Sequence, residues 1–286
     1  MKLTKLSLLI GASLMAGNAM AFSLGGYQGP VKIKYSNWEN LILPADCFNA
    51  NGEPTGTACN DGDEDNYGIV AITSIESDDG NNLNLWSAGD NGEFLTGLFY
   101  NLDVYKITTS GTGLNVELTG GFLDIYLNSS GVSANQGTGG YIADGDGIAH
   151  NDYNGITNVV GGSLFLALQF ASGVNPLDGT VTIDANLDGS TSPSSGDGAF
   201  YLDVIGGSHA ATFDNSLLPT AFGNRDMFAQ NDFCVNGTVG CAYPAQGNWD
   251  LVSEDPVRAY VPEPGSLALL GLGLMGMGFA SRRRKA

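Results

Sequence analysis

The stretch 114-LNVELTGGFLDIYL-127 decides the fold class. Leu114, Val116 and Leu118 alternate with polar residues, two glycines follow, and Leu123, Ile125 and Leu127 resume the alternation. Such a period of two marks a half-buried strand. A Gly-Gly pair between two such runs predicts a hairpin that turns at Gly120-Gly121. Working outward, VKIKYSNW (31–38) alternates in the same way, and GIVAITSI (68–75) is apolar on both faces, as a central strand is. SLFLALQF (163–170), TVTIDA (180–185) and AFYLDV (199–204) read as three more strands. Forty-two glycines imply many turns, and helical periodicity is confined to a short candidate helix at 222–230. The expected fold is all-β, a β-sandwich or jelly-roll-like domain.

The two ends follow other rules. MKLTKLSLLIGASLMAGNAMA (1–21) has Lys2 and Lys5, an apolar stretch and small residues at Ala19 and Ala21. That is the pattern of a secretory signal peptide cleaved after Ala21 by signal peptidase. At the other end, Pro262-Glu263-Pro264 precedes an uncharged run from Leu267 to Ala280, which is closed by Arg282, Arg283, Arg284 and Lys285. The run has 14 residues, short of the ~20 that span a bilayer comfortably. Its basic end resists translocation. The chain is therefore expected to be exported N-terminus first and held only transiently at the inner membrane. The expected organisation is a signal peptide at 1–21, an all-β extracellular domain at 22–252, a linker at 253–261 flanked by prolines, and a sorting segment at 262–286.

This tail resembles the sorting signal of PEP-CTERM proteins in Pro262, Glu263, Pro264, the apolar run and the basic end. The resemblance implies a Gram-negative exported protein, cut near the Pro-Glu-Pro by an exosortase and delivered to the cell surface or extracellular matrix. KYSNWEN (34–40), EDNYGI (64–69) and LWSAGDNGEFLTGLFY (85–100) resemble the flocculation-associated PEP-CTERM group, which is tied to cell aggregation, biofilm and exopolysaccharide. No catalytic residues come with that resemblance.

Residues 22–261 hold five basic residues, Lys32, Lys34, Lys106, Arg225 and Arg258, against 29 acidic ones, a formal charge of −24. A surface of that sign repels nucleic acid and anionic lipid, which excludes both as partners. Four cysteines in an exported chain point to disulfides. Three pairings are open, and the sequence-local one, Cys47–Cys59 with Cys234–Cys241, is expected.

DANLDG (184–189) sets Asp184, Asn186, Asp188 and Gly189 at the first, third, fifth and sixth places of a calcium loop, with Ser195 in place of the closing Glu. Calcium is the one candidate cofactor. DGDED (61–65) and DGDG (144–147) repeat the alternation less completely, and Asp/Gly turns are the plainer reading of all three. Trp38, Trp86 and Trp249 are candidates for stacking on sugar rings. Among catalytic signatures, neither G-x-S-x-G nor H-E-x-x-H occurs, and the adjacency of Ser208 and His209 means little because a triad is spatial. The expected function is a non-enzymatic surface or matrix protein that promotes aggregation with exopolysaccharide. The alternative is a secreted polysaccharide-active enzyme or carbohydrate-binding module on a β-sandwich.

Overall fold

The computed structural model describes residues 23–111, 113–131, 159–189, 195–235, 241 and 249–262. The chain runs through β1 (Gly29–Leu41), β2 (Asn66–Ser77), β3 (Asn84–Ser87), β4 (Phe94–Ser110) and β5 (Gly113–Asn128). It continues through β6 (Ser163–Ala171), β7 (Ile183–Asp188), β8 (Ser195–Gly206), a helical turn α1 (Ala210–Phe213), and the short β9 (Leu218–Thr220) and β10 (Gly223–Arg225). β11 (Met227–Val235) and β12 (Leu251–Val261) complete it. The all-β expectation holds.

Hydrogen bonding runs β1-β12-β11-β8-β6-β5-β4-β2, and β2 pairs back onto β1, every step antiparallel. The ring is closed: a barrel with eight strand positions rather than two packed sheets. β6 and β7 share one position, since β5 pairs with β6 over Phe122–Leu127 and with β7 over Leu114–Leu118. Closure removes the free edges that an open sandwich would have to guard. On β1, Val31, Ile33 and Tyr35 point inward while Lys32, Lys34 and Ser36 point out. Apolar-in and polar-out is the reverse of a membrane-spanning barrel.

The predicted hairpin at Gly120-Gly121 is instead a corner inside one long strand. β5 stays paired with β4 through it, from Phe94↔Asn128 to Ser110↔Gly113. Both glycines have positive φ, as does Asn101 on the facing strand. The corner switches side-chain parity, so Val116 and Leu118 before it and Leu123 and Ile125 after it all reach the core. A Cβ on Gly121 would lie 2.3 Å from Leu102 Cδ2, so glycine is required by space as well as by backbone angle.

Two other expectations fail. The helix expected at 222–230 is replaced by β10 at 223–225 and the start of β11 at 227–230, where Met227 and Ala229 alternate inward between β8 and β12. The supposed linker at 253–261 is β12, a strand paired on both edges, so the barrel domain extends to Val261. Pro256 sits where the ladder to β11 lapses between Val257 and Ser253, the kind of interruption at which a strand tolerates proline. A second, smaller core lies on the outer wall, where Tyr67, Ile69 and Leu98 pack with Val159 and Trp249.

Candidate functional site

The barrel interior is apolar along most of its length and becomes polar towards one end. A cavity of about 100 Å³ is lined by Phe99, Phe170 and Phe200 together with Asn37, Glu39 and Asn231. Ser253 N–H donates to Asn37 Oδ1 (3.0 Å) and Asn231 Nδ2 donates to Ser253 Oγ (3.2 Å). Asn66 Nδ2 reaches Glu39 Oε2 at 3.4 Å and the Asn40 carbonyl at 3.1 Å. Burial pushes the Glu39 carboxyl up to about 7, against the stabilising Asn66 amide and with a small further rise from Asp250. This cavity is well below the ~300 Å³ at which small-molecule sites begin, so it suits a few waters rather than a sugar.

Leu187 and Phe233 wall off that cavity from an open groove of about 690 Å³ at the barrel mouth. Ser110, Asn186, Asp188, Ser195, Asp197 and Asp232 supply its polar lining. Carboxylates, an amide and hydroxyls over a floor of Leu187 and Phe233 offer the acceptors and apolar contact that sugar hydroxyls and ring faces take up. Five strands build the groove: β4 brings Ser110, β5 Leu114, β7 Asn186 and Asp188, β8 Ser195 and Asp197, and β11 Asp232 and Phe233.

The expected calcium loop at Asp184, Asn186 and Asp188 does not form. β7 is hydrogen-bonded to β5 on one edge and β8 on the other, which keeps it extended. Asp184 and Asp188, four residues apart on a strand, stand roughly 13 Å apart along it, too far for one ion to take both as ligands. The side chains of Asp184 and Asn186 serve cross-strand bonds instead. Asn115 Nδ2 donates to Asp184 Oδ1 (2.5 Å) and to Asn186 Oδ1 (3.2 Å), and Asn186 Nδ2 reaches Asp197 Oδ2 at 3.3 Å. Sugar stacking by Trp86 and Trp249 is likewise overturned, since each is 3% exposed, Trp86 in the main core and Trp249 in the outer one. Trp38 is half-buried against that outer core.

Both disulfides join sequence-local partners, Cys47–Cys59 with Cα atoms 5.1 Å apart and Cys234–Cys241 with 5.9 Å. Cys234 lies near the end of β11, next to Phe233, so its bond ties residue 241 to the groove wall. Ser208 Oγ lies 3.0 Å from both the Leu164 carbonyl and His209 Nδ1. The His209 ring stacks on Phe165 at 4.3 Å, and burial lowers its pKa. The pair helps to cap β6 and stands outside the groove. The strand patterns could not have announced the groove, because its six polar residues come from separate runs that meet only when the barrel closes.

β12 ends at Val261 and Pro262 follows directly. Ala19, Ala21, Glu263, Pro264, Arg282, Arg283, Arg284, Lys285 and the DGDG stretch lie outside the described residues. Among the described residues, no helix is long and apolar enough to cross a membrane. No curated protein and no solved structure matches the chain. Residues 261–285 match the family of the PEP-CTERM protein-sorting motif. The chain carries that motif immediately after the last strand of its barrel, which implies an exported protein sorted by an exosortase.

Proposed function

We propose that the barrel domain is released at the cell surface or into the extracellular matrix and promotes flocculation or biofilm by holding exopolysaccharide without cleaving it. The observation that carries the reading is the junction at Val261. The sorting motif begins where β12 ends, so a cut near Pro262 to Pro264 leaves every described strand intact and delivers a closed domain. Signal peptidase and the exosortase are its processing partners, and its contact with the inner membrane is transient.

The groove at the barrel mouth is the contact for the glycan. Its carboxylates bind the hydroxyls of a neutral polymer, whereas a uronate-rich polymer meets a domain with a formal charge of −24. Binding to a neutral glycan is accordingly only weakly salt-dependent, since screening acts on charge pairs. The test is deletion of the gene, complementation with the exported protein, and complementation with Asp197→Ala/Asp232→Ala. Aggregation should be lost on deletion, restored by the wild type and reduced with the double variant. Polysaccharide length should be unchanged throughout. Full rescue by the double variant removes the groove from the reading, and depolymerised glycan replaces the whole reading with an enzyme.

A further inference from the structure

Residues 61–65, Asp-Gly-Asp-Glu-Asp, link the segment strapped by Cys47–Cys59 to the start of β2. That segment lies along β4: Cys59 N–H donates to the Tyr105 carbonyl (2.9 Å) and Gly56 N–H to the Ile107 carbonyl (3.2 Å). Two bonds then lock the loop and strand together. Gly62 N–H donates to Asp103 Oδ2 (3.0 Å), and Val104 N–H donates to Asp65 Oδ2 (2.9 Å).

The result is a convergence of carboxylates. One oxygen each from Asp61, Asp65 and Asp103 lie within 4.8 Å of one another. Asp65 is 4% and Asp103 9% exposed, and Asp103 Oδ1 is sealed from solvent with no hydrogen-bond donor. Buried polar atoms left in that state are rare and call for a ligand or water. Among the described residues, no protein cation answers the need. The five basic residues of 22–261 are engaged elsewhere: Lys32 and Arg258 with Asp78, Lys34 with Glu76, Lys106 with Glu117, and Arg225 with Asp203. Desolvation accordingly raises both buried carboxyls, Asp65 to about 7, and each is raised further by neighbouring acidic groups.

We infer that Asp61, Asp65 and Asp103 bind a calcium ion that pins the disulfide-strapped segment to β4. Oxygens bound to one ion at 2.3–2.6 Å can stand up to about 5 Å apart, which accommodates the observed spread. Calcium accepts the irregular mix of carboxylates, loop carbonyls and water that a partly open loop supplies, whereas magnesium demands a near-ideal octahedron. Extracellular modules hold calcium at a Kd of roughly 0.1–1 mM, and the sorting motif sends this chain to that environment.

The test uses the exported protein, stripped with chelator, in calorimetric and thermal titrations with calcium chloride at pH 7.5. One saturable event is expected, with Tm rising about 3–5 °C at tenfold excess over Kd. Asp103→Asn should abolish it. Exposed Asp61 can change without disturbing the core, and Asp61→Asn should weaken binding about tenfold. Asp184→Asn should leave it intact. The inference is overturned if millimolar calcium gives neither heat nor a Tm shift, if sodium chloride of matched ionic strength or magnesium alone reproduces the shift, or if the event survives both Asp103→Asn and Asp61→Asn.

Discussion

Two acidic segments of this barrel share one pattern and have opposite fates. DGDED (61–65) and DANLDG (184–189) both place acidic or amide side chains on alternate residues. In the second, β5 and β8 hold the backbone extended, so Asp184 and Asp188 stand far apart, and Asp184 and Asn186 bond instead to Asn115 and Asp197. In the first, the backbone leaves β4's edge and turns into β2, so Asp61 and Asp65 fold towards each other and meet Asp103 from another strand. Alternation is therefore not a metal motif by itself. What matters is whether the backbone carrying it is free to curl, and whether a third carboxylate waits in the fold.

The largest effect that could break this comparison comes from the disulfide. Replacing Cys47 and Cys59 with Ser should lower stability by about 3 kcal/mol and abolish the calcium response, because the strap that seats the acidic loop is gone. The same change at Cys234 and Cys241 should leave the calcium response in place. Chemical denaturation with and without calcium reads both outcomes. An intact calcium response without Cys47–Cys59 would show that the strap does not build the site.

Asp65→Asn comes next. The folded-state pKa of Asp65 is about 7, above its ordinary 3.8, so without calcium the native state is penalised as pH rises from about 4 through 7. Asn carries no charge and keeps an acceptor for Val104 N–H, so the variant should be more stable than the wild type by about 2 kcal/mol at pH 8 without calcium. The gain should vanish at pH 4, and calcium should reverse it. Loss of stability at pH 8 would show that the Asp65 charge is already compensated within the fold.

Glu39→Gln separates the loop from the barrel interior. Its raised pKa, about 7 against 4.5, likewise makes stability fall as pH rises between those values. The substitution should flatten that part of the pH profile and add roughly 2 kcal/mol at pH 8, equally with and without calcium. A calcium-dependent gain would mean that the two sites are coupled. The smallest effect belongs to Asp184→Asn. Asn115 can still donate to the new amide oxygen, so stability should change by less than about 0.5 kcal/mol, as surface substitutions usually do. A larger loss would give β7 a role that its hydrogen bonds do not suggest.

Gly120-Gly121 shows how far local patterning reaches. Positive φ at both glycines is what a two-residue turn needs, and it is also what a corner inside a strand needs. The two readings differ only in whether 17-residue β4 runs past the corner, which is a property of another segment. Pro256 misled for the same reason. A proline marks a linker or an interrupted ladder, and only β11 opposite it tells which. Trp86 and Trp249 read equally well as sugar platforms or core, and burial assigns them to core.

By itself the sequence determined the all-β class, the strands β1, β2, β6 and β8 and the sorting motif at 261–285, and it pointed to the local disulfides, because each is written in residues close together along the chain. The tertiary structure alone decided that the sheet closes on itself through β1, that a polar groove opens at the mouth, and that Asp103 joins Asp61 and Asp65. The physical reason is separation along the chain. β1 meets β12 across more than two hundred residues, and Asp103 meets Asp61 across about forty. Such meetings are set by hydrogen-bond register and packing around the whole ring, which no short window of sequence contains.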